Sequence, residues 1–231
     1  MTTDPLLARA RLVWETLAAT PVSFAPSGGV AVVTSPASQL CPPAWSGLVV
    51  LGDAAIATTP TDSAARLLRG ALSSVPLDSP PALPMTEVLG PATLAYVSAA
   101  GFRPAAGPAE ALPADDPAVH RLIASVSQED ADESALDEIT SPAFVVREGP
   151  DVIAAAGYRA WPAETAHVCV LTATPHRGRG LARRAASAAV THALTANLLP
   201  QWRARPLASR RVATALGFRE LGTQLSFRLE G

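Results

Sequence analysis

The sequence predicts an α/β chain in two parts. Short β-branched runs alternate with alanine-rich stretches of helical spacing in both halves. A proline-dense stretch over residues 75–118 lies between them. The 231 residues, 48% hydrophobic and 16% charged, can bury one large core or two modest ones, which excludes global disorder.

The elements follow in order. A first helix is expected from about Pro5 to Ala19. GGVAVVTS and SGLVVLGDAAIATT read as short buried strands, and SAARLLRGALSS reads as a helix, so the first half is a small α/β unit. VPLDSPPALP and RPAAGPAEALPADDP exclude one continuous helix or a central strand over 75–118. A linker is placed near residues 104–113, dividing the chain into domains 1–108 and 109–231.

In the second half, DDPAVHRLIASV reads as a helix capped by Asp115 or Asp116 with Pro117 in its first turn. An acidic helix follows at about 129–139. AFVVRE and VIAAAGYRAW flank Gly149, Pro150 and Asp151, the pattern of a β-hairpin. AHVCVLTAT reads as a buried strand, RGLARRAASAAVTHALTANL as a helix, and ASRRVATAL as a shorter helix ending at Gly217. In RELGTQLSFRL, Leu221, Thr223, Leu225, Phe227 and Leu229 alternate with polar or small residues, which predicts a strand with one buried face.

Composition narrows the partners. Net charge is −2, so no global field draws the chain to nucleic acid or to an anionic membrane, and neither is expected as a partner. No apolar run reaches about 18 residues, and the start MTTDPLLARARLVWETL lacks an uninterrupted apolar segment, so neither a membrane span nor an export signal is expected. The cytoplasm is the expected compartment. Cys41 and Cys169 form no CxxC pair and read as buried structural thiols; no metal site is expected.

The charge is distributed unevenly. Between Glu110 and Glu138 stand nine acids and a single basic residue, Arg121, whereas Thr165 to Arg219 holds nine arginines and no acid. A small polyanion is therefore a better partner than a long one. The chain has no lysine, which removes Schiff-base chemistry and the phosphate-binding lysine of a Walker loop. YVSAAGFR, ending at Arg103, and VATALGFR, ending at Arg219, suggest a duplication with a degenerate first copy; coincidence between two alanine-rich helix ends is the alternative.

One motif carries chemistry. His176-Arg177-Gly178-Arg179-Gly180-Leu181-Ala182 sits between a strand and an alanine-rich helix. The glycines let the backbone turn tightly with its N–H groups outward, the helix adds its unpaired donors and positive dipole end, and Arg177, Arg179, Arg183 and Arg184 add charge. Such a cradle suits a pyrophosphate; the plainer alternative is a surface turn whose arginines solvate a helix. No acid follows about twenty residues on, so a dinucleotide fingerprint fits poorly.

Arg177-x-x-Gly180-x-Ala182 after a strand resembles the R/Q-x-x-G-x-G/A signature of the GNAT superfamily of N-acetyltransferases, and SRRVATALGFRELG resembles that family's closing helix, GF turn and final strand. The resemblance spans about residues 112–230. It implies a mixed, mostly antiparallel sheet flanked by helices, acetyl-coenzyme A as donor, and the loop Arg177, Gly178, Arg179, Gly180, Leu181 and Ala182 on its pyrophosphate. It also implies that Val170, Leu171 and Thr172 bind the pantetheine arm through their backbone, the strand splaying from its neighbour. The acidic helices of Glu110–Glu138 would then flank the acceptor side, which suggests a cationic or amine acceptor, with solvated helix faces as the alternative.

The catalytic expectations are thinner. Acetyl transfer to an amine needs a neutral nucleophile and hence a general base. The family often places it eleven residues ahead of the signature arginine, which here is Ala166. Glu164, on the same strand face by alternation, and His167, on the other, are the candidates. The family's tyrosine acid falls on Ala213, and its asparagine at the closing helix falls on Pro206, with Ser209 the nearest polar group and a cofactor contact. Trp161, Trp202 and Tyr158 are candidates to line an acceptor pocket.

The resemblance therefore implies an N-acetyltransferase acting on the amine of a small molecule or peptide. The alanines at 166 and 213 support the alternative of a non-catalytic acyl-CoA-binding or protein-interaction module. A third reading makes the second domain a partner-binding module in a homodimer, for which the sequence carries no direct signal.

Overall fold

The computed structural model describes residues 4–26, 28–72 and 83–229. The expected VPLDSPPA segment at 75–82 lies outside the described residues. The chain divides into two compact units, Met1–Leu94 with Glu220–Gly231, and Ala95–Arg219.

In the first unit, α1 (Pro5–Leu17) starts where Asp4 accepts the Leu6 N–H at 3.0 Å, and it buries Leu6, Ala10, Val13, Trp14 and Leu17 at helical spacing. Strands β1 (Gly29–Thr34) and β3 (Ala54–Thr59) pair in parallel, β2 (Ser46–Leu51) turns back antiparallel on β3, and α2 (Asp62–Leu72) follows. Strands β4 (Met85–Tyr96) and β10 (Arg219–Leu229) complete the order β1-β3-β2-β10-β4. One core joins Val32, Ala55, Ala57, Leu68 and Phe227.

The second unit has the order β9-β8-β7-β6-β5. Strands β6 (Ala143–Glu148) and β7 (Asp151–Trp161) form the expected hairpin, β8 (Thr165–Thr172) runs antiparallel to β7, and β5 (Glu110–Leu112) antiparallel to β6. Strand β9 (Leu199–Ala204) is parallel to β8. The sheet is thus mixed and mostly antiparallel. Helices α5 (Leu181–Thr195) and α6 (Leu207–Ala215) pack on one face through Ala185, Ala189, Val190 and Ala213. Helices α3 (Pro117–Ala124) and α4 (Gln128–Ser134), with a 3-10 turn at Leu136–Glu138, cover the other through Val119, Leu122, Leu136 and Ile139. Asp116 is the cap of α3, accepting the Ala118 N–H at 2.8 Å.

Several expectations need correction. The 75–118 stretch contains β4, because its prolines cluster at both ends and leave 85–96 with Pro91 alone. The linker placed at 104–113 is bound into the second unit: it includes β5, Ala105 N–H donates to Ser187 Oγ at 2.9 Å, and Pro108 carbonyl accepts from Arg184. The acidic helix stops at Ser134, where Ala135 turns left-handed at φ +46°. Strand β9 was not foreseen, its six residues being too short and irregular to show alternation. Strand β10 buries Gln224 and Ser226 as well as Leu225 and Phe227, because both its faces are covered. It also returns to the first unit by pairing with β2, so the compact units divide at 94/95 and 219/220 where the sequence suggested 108/109.

Candidate functional site

The site is built on a pair of strands that part. Strands β8 and β9 pair only from Thr165↔Leu199 through Ala166↔Pro200 to His167↔Gln201, although β8 continues to Thr172 and β9 to Ala204. Beyond His167 the β9-facing edge of β8 runs five residues, about 16 Å of extended chain, to the glycine turn. On that edge Val170 and Thr172 are half-buried, Leu171 is buried, and the Thr172 hydroxyl is buried with no hydrogen-bond partner. Leaving a buried hydroxyl without a partner costs roughly 1–3 kcal/mol.

The edge leads into the cradle. A 3-10 turn at Thr174–His176 brings the chain to Gly178 at φ +77° and Gly180 at φ +75°, the latter capping α5 with no side-chain bond to its N–H groups. Nothing lies within 4 Å of where a Cβ would stand at either glycine, so both face open space. Side chains heavier than glycine are strained at these dihedrals, which explains both glycines.

The arginines of the cradle already have partners. Arg177 reaches Asp130 on α4 at 2.9 Å, and this guanidinium, then the Ser127 hydroxyl, holds the Asp130 carboxyl below its ordinary range. Arg179 pairs with Glu148 at 2.9 Å, lowering that carboxyl likewise, and meets His176 Nδ1 at 2.8 Å. Arg184 binds the Pro108 carbonyl, and Arg183 is exposed.

Where the strands part, on the face covered by α3 and α4, four side chains connect. Buried His167 meets Gln201 Oε1 through Nδ1 at 2.5 Å, its ring stacks on Trp161 at 4.3 Å and 12°, and the Arg203 guanidinium lies 5.8 Å from the Trp161 centroid. Burial first, then the charges of Arg203 and Arg159, push the His167 pKa down to about 3 against the Gln201 hydrogen bond. Gln201 is fully buried, and its Nε2 has no partner. Cys169 lies on the same face, buried, with its thiol pushed up to about 12 by desolvation, which makes it inert as expected.

The remaining expected residues are dispersed. Glu164 is not on β8: it occupies the turn before it at φ +51°, exposed, beyond the paired end of the strand and away from the cradle. Alternation therefore does not apply to it. Ser209 accepts the Trp202 indole N–H at 3.0 Å, and Trp202 packs edge-on against Phe218 in the α5–α6 core. Tyr158 joins Ala166 and Ala193 on that same face, its hydroxyl 3.0 Å from His192. Of the three aromatic candidates, only Trp161 stands on the α3–α4 face where the strands part.

Four of the nine acids of Glu110–Glu138 are held in ion pairs with arginines. Glu110 pairs with Arg147, Asp130 with Arg177, Glu133 with Arg205 and Glu138 with Arg159. Asp130, Gln201 and Arg203 were missed as site residues. Only for Arg203 was there a signal, membership of the acid-free arginine stretch.

Comparison with known families places this geometry. Residues 142–223 match the family model for GNAT acetyltransferase. Those residues are a GNAT acetyltransferase domain. They include β6 to β9, the glycine turn and α6. A solved structure from Novosphingobium aromaticivorans assigned to the GNAT family shares 20% identity at a TM-score of 0.51, over 66% of this chain and 70% of that one, a likeness of fold. A GCN5-related N-acetyltransferase from Kribbella flavida (16% identity, 76% and 69% coverage) has a TM-score of 0.49, and a GNAT-family acetyltransferase from Colwellia psychrerythraea (13%, 64% and 59%) one of 0.48. Comparison with curated proteins returned no match. GNAT acetyltransferases are enzymes whose usual donor is acetyl-CoA. Among the described residues no group of side chains suits a metal ion and no helix is long and apolar enough to cross a membrane.

Proposed function

We propose that this chain is an N-acetyltransferase that moves acetyl from acetyl-CoA directly to the amine of a small molecule or peptide. The observation that carries the reading is the end of β8–β9 pairing at His167↔Gln201 on a strand that runs on into an open glycine turn. The donor set fits the donor molecule: the unpaired edge of Val170, Leu171 and Thr172 for an amide-bearing arm, with the orphan Thr172 hydroxyl beside it. Arg177, Gly178, Arg179, Gly180, Leu181 and Ala182 then offer backbone N–H groups and a helix dipole to a pyrophosphate, with the Arg177 and Arg179 guanidiniums exchanging Asp130 and Glu148 for it. Ser209 keeps a hydroxyl proton to donate on the far side.

When bound, the thioester would supply an activated acetyl group. The protein must then orient the amine and receive its proton. His167, neutral and with Nδ1–H donated to Gln201, keeps a lone pair on Nε2. Its low pKa makes it a hydrogen-bond acceptor for the amine and a weak base, so the proton would leave late, once bonding to the acetyl carbon has made the nitrogen acidic, and would pass on to the coenzyme A thiolate released as the C–S bond breaks. Glu164 stands too far along the turn to contribute except through water. In the first unit, the α2 terminus that corresponds in order to the cradle is closed by its own Thr61, which accepts the Ala64 N–H, so we assign donor binding to the second unit.

Thermal unfolding with and without excess acetyl-CoA tests the reading. A ligand at about 100 times its Kd adds about 2.7 kcal/mol of stability. The wild type should shift upward and Arg177→Glu should not; no shift in the wild type would remove the foundation of the proposal. Ala166 and Ala213, at the two usual catalytic positions, favour the second reading, a domain that binds acyl-CoA without transfer. Stabilisation by acetyl-CoA with no turnover across a broad amine panel would select it.

A further inference from the structure

Resting on the transferase reading, we infer that α4 is a latched lid: Asp130 and the donor's pyrophosphate compete for Arg177, and the release of Asp130 loosens α4 over the sheet face that carries His167. Asp130 meets Arg177 at 2.9 Å, and both side chains are partly exposed, so an incoming anion can reach the pair. Arg177 also donates from Nε to the Thr172 carbonyl at 3.4 Å, which keeps its guanidinium at the end of β8 whichever anion it holds. The second paired arginine of the turn differs. Its partner Glu148 ends β6 opposite Asp151, so exchanging Arg179 frees a side chain and no element.

The way α4 is held makes it releasable. Of its seven residues only Ser134 is buried, whereas α3 buries Ala118, Val119 and Leu122 in the core. A cavity of about 240 Å³, lined by Ile123, Val126, Ala131 and Asp132 among others, lies between α4 and the end of α3, so the two pack loosely. An element with so little apolar burial belongs to the low-stability end of a fold, and charge then weighs heavily in where it lies. Asp130 ties α4 to Arg177, and Glu133 ties it to Arg205. The helix carries Glu129, Asp130, Asp132 and Glu133 and no base. Once a pyrophosphate holds Arg177, attraction at Asp130 gives way to repulsion between that carboxylate and the phosphates sharing its former partner, well inside a Debye length. Leu136 and Ile139 are buried directly after the helix, and Arg205 keeps Glu133, so α4 loosens about its C-terminal end.

Two measurements on the wild type, Asp130→Asn and Glu133→Gln test the latch: hydrogen exchange over residues 131–135 with and without excess coenzyme A, and calorimetric titration with coenzyme A. Asparagine keeps an oxygen for the Ser127 hydroxyl and loses only the charge. In the wild type coenzyme A should speed exchange at these amides at least about threefold. Asp130→Asn should exchange at the faster rate without ligand and gain nothing more from coenzyme A. It should also bind coenzyme A about two- to fivefold more tightly, the range set by an exposed ion pair. Glu133→Gln, whose partner Arg205 lies outside the glycine turn, should speed exchange yet leave the affinity within about 1.5-fold of the wild type. Slower or unchanged exchange on binding, an Asp130→Asn affinity no tighter than the wild type's, or an equal tightening in Glu133→Gln would each overturn the latch while donor binding stands. No binding of coenzyme A by the wild type would overturn the transferase reading and the latch together.

Discussion

Acidification should cost the wild-type protein more stability than a His167→Asn variant, and the size of the difference follows from where the ring lies. In the unfolded chain a histidine titrates near 6.5, whereas in the fold His167 is buried against Trp161 and its pKa is driven down to about 3. Between these values the unfolded chain holds a proton that the folded chain does not. Stability therefore rises with pH across this window and is lost as pH falls below 6.5. Each unit is worth about 1.4 kcal/mol per proton, so moving from pH 7.5 to 4.5 costs about 3 kcal/mol through this one residue. That corresponds to a fall in Tm of roughly 6–12 °C for the unit that contains it. Asp130 and Glu148, whose lowered pKa values remove stability at still lower pH, titrate in both proteins and cancel in the comparison. Asparagine keeps an amide donor for Gln201 Oε1 without titrating. Urea unfolding followed by tryptophan fluorescence, at pH 7.5 and 4.5, measures the four stabilities. Equal losses in wild type and variant, or a His167 titration near 6.5 by NMR, would refute the placement of a dry, neutral ring where the strands part.

The other predictions concern packing and thiols. A Cβ at Gly222 would stand 1.8 Å from the Val50 carbonyl oxygen on the paired strand, so Gly222→Ala must displace backbone and should lose more than about 3 kcal/mol in urea unfolding, against a negligible loss for a surface alanine. Burial pushes the Cys41 thiol up to about 11 and the Cys169 thiol up to about 12, so at pH 8 both should react with a disulfide reagent far more slowly in the native protein than in urea. A fast native thiol would show that one of these sites opens readily.

How far the sequence could be read depended on the range of the interactions involved. The hairpin at Gly149–Asp151, the Asp116 cap and the Leu181–Thr195 helix were legible because each is set by residues a few positions apart, through turn dihedrals, a cap bond or helical spacing. The glycine turn was legible for the same reason, since Gly178, Gly180 and the helix start are contiguous. Leu199–Ala204 was not, because six residues containing Pro200 take their strand geometry from pairing with β8, not from their own pattern. Glu164 was misplaced by alternation because the strand begins one residue later, after a left-handed turn.

By itself the sequence determined the order and type of most elements, the glycine turn with its arginines, and the absence of lysine chemistry, all properties of neighbouring residues or of composition. Only the tertiary structure decided which charges survive at the site and where β10 belongs. Asp130 reaches Arg177, Glu133 reaches Arg205, and His167 and Gln201 meet across two strands where pairing ends. Such partners are far apart in the chain. Their charge, burial and unpaired donors depend on what folding brings beside them, and a linear pattern of residue types does not encode that distance.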